Sequence, residues 1–248
     1  MQNPLSDALP PAQAAVFLDF DGVLVALAER PDAISVPSAL VPLLQRLETA
    51  TGGATAIVTG RAIDDIRSYL DPAPQWLAGC HGGERAMPGQ ADAPHPLTGS
   101  QAVGEVQRQV RALEAFGDGV VTEMKPLGAV VHYRQAPALR EALAEAAETI
   151  ALSHAGFEAH PAKMAFELKP SDVGKVHVVA DWMGQAPFAG RTPIYVGDDL
   201  TDEPAMGWVQ DAGGIAVKVG PGESVAGARV EGPADVLAAL TSWLDRAG

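Results

Sequence analysis

The chain has 248 residues, a formal net charge of −14, 47 % hydrophobic and 5 % aromatic residues, which is apolar material enough for one large domain or two modest ones and not the profile of a disordered chain. Its acidity argues against sequence-independent binding to nucleic acid or to an anionic membrane surface, both of which call for basic patches. Cys80 is the single cysteine, which excludes an intrachain disulfide and a cysteine metal cluster, and the absence of a signal-like start or a bilayer-length apolar run leads to the expectation of a soluble, cytoplasmic monomer.

Ala14 to Phe20 reads as a buried strand and ends in Asp19-Phe20-Asp21-Gly22. Alternate side chains of a strand share a face, so Asp19 and Asp21 are expected to project together at its C-terminal end. Such a pair suits a divalent cation and a carboxylate nucleophile; an Asp-rich turn before a helix, with Gly22 in the bend, is the alternative. A loop is expected around Ala28 to Val36. Leu40, Leu43, Leu44 and Leu47 recur at helical spacing and predict a helix over Ser38 to Thr49. A strand at Ala54 to Val58 is closed by Thr59-Gly60-Arg61, a helix follows from Ile63 to Leu70, and a strand at Trp76 to Ala78 ends at Gly79. Strands alternating with helices predict a parallel α/β sheet.

The pattern then changes. Pro88 to Ser100 reads as loop or a weak hairpin, Gln101 to Phe116 as helix, Val120 to Met124 and Ala129 to Arg134 as strands, Pro137 to Ser153 as helix, and Phe157 to His160 and Met164 to Leu168 as strands. Helix, two strands, helix, two strands predicts an α+β unit with an antiparallel sheet. The α/β alternation resumes with a helix over Val173 to Met183, a strand at Pro193 to Val196, a helix at Pro204 to Val209, a strand at Gly214 to Val219 and a last helix from Ala234 to Leu244. The expected architecture is a Rossmann-like parallel-sheet core over residues 1–100 and 170–248, with residues 101–169 inserted as an α+β domain.

In a parallel α/β sheet the ligand crevice lies at the C-terminal strand ends. Asp19, Asp21, Thr59 and the run Gly197-Asp198-Asp199-Leu200-Thr201-Asp202-Glu203 all fall there, with Lys175 opening a helix near the same edge. Taken singly, Thr59 reads as a helix N-cap, Lys175 as a solvated lysine, and the 198–203 run as a charged first helical turn. Their joint placement instead suits a Mg²⁺ ion with a phosphate as guest.

The order D-x-D-G, apolar strand with Thr-Gly-Arg, isolated Lys, and G-D-D-x-x-D resembles the four motifs of haloacid dehalogenase superfamily phosphotransferases. Ala78-Gly79-Cys80-His81-Gly82-Gly83-Glu84, Glu123-x-Lys125, Val131-His132-Tyr133-Arg134, Glu167-Leu168-Lys169-Pro170 and the 197–203 run resemble trehalose-6-phosphate phosphatases. Val23 and Gly83 depart from the residues usual there, with no functional group lost. The resemblance implies a haloacid dehalogenase-type core with an inserted cap, and Mg²⁺-dependent hydrolysis of trehalose 6-phosphate. It implies Asp19 as nucleophile, Asp21 as acid and base, and Thr59 and Lys175 as phosphoryl contacts. Mg²⁺ is expected on Asp19, the main-chain carbonyl of Asp21, and Asp198. Arg61, His81, Gly82, Glu123, Lys125, Arg134 and Glu167 are expected to serve the substrate. A sucrose- or hexose-phosphate phosphatase and a silent phosphosugar-binding module are the alternatives left open by the residues.

Overall fold

The computed structural model describes residues 9–27 and 34–247; the expectations for the first eight residues, and for 28–33 of the loop around Ala28 to Val36, lie outside them. In chain order the elements are β1 (Ala14–Leu18), α1 (Leu40–Ala50), β2 (Thr55–Val58), α2 (Ile63–Tyr69), β3 (Trp76–Gly79), β4 (Glu84–Ala86), β5 (Ala93–Pro94), α3 (Gln101–Ala112), β6 (Val121–Lys125), β7 (Gly128–His132), α4 (Arg140–Ser153), β8 (Phe157–Ala162), β9 (Ala165–Pro170), α5 (Lys175–Met183), β10 (Thr192–Gly197), α6 (Glu203–Asp211), β11 (Ile215–Val219), β12 (Ala228–Val230) and α7 (Pro233–Ala247). They form two compact units, one running to Ala93 and resuming at Gly174, the other Pro94–Val173.

The first unit is built on a sheet of order β12-β11-β10-β1-β2-β3-β4-β5. Its strands from β12 to β3 are parallel, and β4 runs antiparallel to β3. Both faces are covered, which is why β1 is apolar at every position instead of alternating. Ala14, Val16 and Leu18 pack into one core with Leu40, Leu43, Leu44 and Leu47 of α1 and Leu240 and Trp243 of α7. Ala15 and Phe17 face the opposite core with Val178, Val179 and Trp182 of α5 and Met206 and Val209 of α6. The Phe17 ring stacks on Phe188 at 5.1 Å between centroids, and burying one such side chain contributes about 1.5–3 kcal/mol.

The second unit has an antiparallel sheet of order β6-β7-β9-β8. Val103, Val106 and Val110 of α3 and Leu143, Ala147 and Ile150 of α4 pack on Ala129, Val131, Phe166 and Leu168. The side chains of Glu123, His132 and Glu167 alternate with that packed set along their strands and belong to the other face, because successive residues of a strand point to opposite sides.

Three local expectations are corrected. β4 and β12 are strands that the apolar pattern did not reveal, since Glu84-Arg85-Ala86 and Ala228-Arg229-Val230 lie toward the sheet margins and need no continuous apolar run. Met164, read as the start of a strand, lies between β8 and β9 with φ 58° and makes the turn. The helices over Gln101 to Phe116 and Pro137 to Ser153 each carry a 3₁₀ turn, Leu113–Phe116 at the end of one and Pro137–Leu139 at the start of the other. Among the described residues no helix is long and apolar enough to cross a membrane.

Candidate active site

The site grows out of the strand ends. β1 closes at Leu18, yet the Asp19 N–H still donates to the Val196 carbonyl of β10 at 3.0 Å, extending the ladder by one residue. The chain then turns: Leu24 and Val25 both donate their N–H groups to the Phe20 carbonyl. Asp19 and Asp21 therefore do not share a strand face as the spacing predicted. Each carboxylate is held by a different cation.

Asp19 is buried and accepts from Lys175 Nζ at 2.7 Å through Oδ2 and from the Phe20 N–H at 2.7 Å through Oδ1. Lys175, the first residue of α5, is 2 % exposed, so the solvated-lysine reading is overturned. Its ammonium also donates to Asp202 Oδ1 at 2.7 Å. Burial works against the Lys175 charge, but the two carboxylates hold its pKa above the ordinary lysine value. Burial pushes Asp19 up to about 7, with Lys175 opposing the rise.

Asp202 is wholly buried, and each of its oxygens accepts twice. Oδ1 takes the Lys175 ammonium and the Tyr195 hydroxyl at 2.7 Å, and Oδ2 takes the backbone N–H groups of Asp198 and Asp199 at 3.0 Å. Burial and the neighbouring Asp202 raise the Tyr195 phenol well above its ordinary value, keeping it a donor. Asp202 thus shapes the 198–202 loop and orients Lys175. Tyr195 was missed in the sequence because an aromatic in an apolar strand reads as core.

Asp198 is half-buried, its pKa raised to about 6 by burial and then by Asp202 and Asp199. Its carboxylate lies against Gly22, where a Cβ would meet Asp198 Oδ2 at 2.0 Å; Gly22 also has φ 71°. Both facts call for glycine. Asp19, Asp198 and Asp202 can each offer an oxygen within 4.8 Å of the other two. With Asp202 already saturated, Asp19 and Asp198 are the carboxylates available to a cation. Hard oxygen donors, raised in pKa by burial, fit Mg²⁺.

Asp21 gives both oxygens to Arg61, Oδ2 to Nε at 2.6 Å and Oδ1 to a terminal nitrogen at 2.8 Å. The guanidinium lies 6.0 Å from the Phe20 ring centroid and 5.4 Å from that of Tyr69, within range of cation–π attraction. Thr59 is buried and accepts the Arg61 N–H through Oγ1 at 3.2 Å, a local turn and not the helix N-cap, which falls to Ala62.

The loop after β3 is wired to this turn. The His81 N–H donates to the Thr59 carbonyl at 2.9 Å and the Cys80 N–H to the Arg61 carbonyl at 2.8 Å. Cys80 and His81 are both left-handed, φ 50° and 57°, a conformation that costs of order 1–3 kcal/mol per residue and concentrates at functional sites. The His81 ring lies over Gly60, where a methyl carbon would meet it at 2.7 Å. Gly82 is buried against α5, where a Cβ would meet Val178 at 2.7 Å. Glu84 accepts the Ile63 N–H at 2.9 Å and caps α2.

In the second unit Glu123 is 3.6 Å from Lys125 and 3.3 Å from His132. Glu167 stands opposite Val130 on β7 and His160 on β8, and Arg134 is exposed just beyond β7.

A trehalose-phosphatase family model matches residues 17–232. The chain is 34 % identical over 247 residues to a trehalose-6-phosphate phosphatase of Escherichia coli, covering 99 % of this chain and 91 % of the relative. It is 39 % identical over 210 residues to a Sinorhizobium fredii protein described as a probable trehalose-phosphate phosphatase, covering 84 % and 78 %. Among solved structures, Aspergillus fumigatus trehalose-6-phosphate phosphatase superposes with a TM-score of 0.76 at 22 % identity over 94 % of this chain and 93 % of that one. A Synechocystis sucrose-phosphatase shares the fold with a TM-score of 0.59 at 14 % identity over 94 % and 98 %. The sequence match extends over Asp19, Thr59 and Asp198 at the strand ends and Lys175 at the start of α5, and with it the chain is placed: it is a phosphatase of the trehalose-phosphatase family.

Proposed function

We propose that the chain hydrolyses trehalose 6-phosphate to trehalose and phosphate through an aspartyl-phosphate on Asp19, with Mg²⁺ as cofactor. The observation that carries this reading is Asp19 itself, a buried carboxylate at a strand end, held by Lys175 beside Asp198. The substrate comes from the family and from the name of the Escherichia coli relative.

An Asp19 carboxylate oxygen attacks phosphorus, and the bond from phosphorus to the sugar oxygen breaks. Asp21 gives a proton to the departing oxygen. Asp21 then takes a proton from water, whose oxygen attacks the same phosphorus; the acyl phosphate opens, returning Asp19 and releasing phosphate. Lys175 and the Thr59 hydroxyl bind phosphoryl oxygens as charge spreads over them. Asp19, the Asp21 carbonyl and Asp198 would hold Mg²⁺, which supplies positive charge to the phosphoryl group when bound. Residues 101–169 serve as the cap, with Glu123, Lys125, Arg134 and Glu167 offering donors and acceptors to sugar hydroxyls, and His81 serving the substrate from the core.

The test is phosphate release from trehalose 6-phosphate beside sucrose, glucose and mannose phosphates, with and without Mg²⁺, for the chain and for Asp19→Asn. Turnover confined to trehalose 6-phosphate, dependent on Mg²⁺ and abolished in the variant, is expected. Phosphate release retained by Asp19→Asn would sink the nucleophile assignment.

A further inference from the structure

The strand β11 reads Ile215-Ala216-Val217-Lys218-Val219, apolar except for one lysine. Lys218 is only 4 % exposed. It pairs in register with Gly197, the residue before Asp198. Its ammonium donates to the Asp198 carbonyl at 2.5 Å and to the Val219 carbonyl at 2.8 Å. Both bonded partners are neutral, and no carboxylate is within hydrogen-bonding distance of Nζ among the described residues. The Asp198 carboxylate answers the charge at longer range, Lys218 lowering its pKa, but every hydrogen bond of the ammonium goes to a carbonyl, and burying such a group is costly. Two strand ends could be packed together by an apolar side chain at much lower cost, so the bond to the Asp198 carbonyl needs its own explanation.

The explanation lies in what the bonded carbonyl belongs to. Asp198 is pinned from two sides: its N–H by Asp202 at 3.0 Å, its C=O by Lys218. Both backbone groups of the residue are thereby fixed, and only its side chain is left to point. The carboxylate then lies in the space that Gly22 leaves open. Groups that orient a ligand residue tune metal affinity, and losing one typically costs about 10–100-fold.

We propose that Lys218 is a positioning residue for Mg²⁺ binding, clamping the Asp198 backbone so that its carboxylate is presented ready-made to the cation. This rests on the reading of Asp198 as a metal ligand. The clamp makes a directional demand that charge alone does not. Removing a positive charge near a cation site strengthens binding by simple electrostatics, whereas removing the clamp weakens it.

The experiment is calorimetric titration of Mg²⁺ alone, without substrate, into the full chain and into Lys218→Met and Lys218→Arg, with thermal unfolding recorded for each. Lys218→Met is expected to bind Mg²⁺ about tenfold more weakly, with Lys218→Arg, which keeps a donor, recovering part of the loss. If Lys218→Met does not fold, Lys218→Gln, polar but too short for the Asp198 carbonyl, takes its place with the same expectation. A folded Met or Gln variant that binds Mg²⁺ as tightly as the unaltered chain, or more tightly, overturns the role of Lys218 alone. An unaltered chain that takes up no Mg²⁺ overturns the metal reading and this role with it.

Discussion

Arg61 and Asp21 form a two-pronged ion pair, 2.6 and 2.8 Å between nitrogen and oxygen, with the Arg61 side chain 11 % exposed and set close to two aromatic rings. The arginine fork is therefore pre-organised, and it is the carboxylate that is held by it. Arg61→Ala is expected to lower kcat on trehalose 6-phosphate by ~100-fold, the scale of a misplaced acid and base. With an aryl phosphate, whose leaving group departs without a proton, formation of the phosphoenzyme, read as the initial burst, should lose much less, while the shared water-attack step slows as for the sugar phosphate. A rise in KM with kcat unchanged would instead mark Arg61 as a substrate contact.

Lys175 is the hub of the buried charges, shared by Asp19 and Asp202 at 2.7 Å each. Lys175→Met leaves two buried carboxylates facing each other. The expected cost is about 3–5 kcal/mol of stability, read as a lowered Tm, together with loss of turnover. A variant that melts with the unaltered chain would show that the cluster rearranges freely.

The pH dependence follows from Asp19, raised to about 7, and Asp198, raised to about 6. Both folded values stand above the ordinary carboxylate value, so between about pH 4 and 7 the folded state binds more protons than the unfolded state. Without metal, stability contributed by these groups is present below about pH 4 and is lost as pH rises through 6 and 7. Mg²⁺ requires the ionised forms and displaces those protons. Its affinity is therefore expected to rise with pH through the same window and level off above it, which titrations across the range will show; a flat profile counts against these two ligands.

Gly22→Ala places a carbon 2.0 Å from the Asp198 carboxylate at a backbone angle that alanine rarely adopts. Moving the Asp198 carboxylate out of the way is the cheapest escape, since the atoms met are the end of a side chain. Mg²⁺ affinity should fall ~10-fold or more while the helical circular dichroism is kept; undiminished affinity would show that Asp198 binds from another position.

The apolar runs and helical spacing made the alternating α/β order, the antiparallel insert and the strand-end positions of Asp19, Thr59 and Asp198 legible in the sequence, because burial on two faces leaves a continuous hydrophobic trace. Short marginal strands such as β4 and β12 leave no such trace. Partner choice was equally illegible. The D-x-D spacing suggested two equivalent carboxylates, but period-two alternation ends with the strand, and β1 ends at Leu18. Which cation each carboxylate meets depends on residues 40 and 156 positions away, brought together by strand order alone. The sequence by itself determined the elements and the family chemistry on offer. Only the tertiary structure decided that Lys175 is buried between two carboxylates, that Arg61 holds Asp21, and that Lys218 donates to the Asp198 carbonyl. The reason is physical: local spacing encodes which face is buried, whereas an ion pair is fixed by non-local packing.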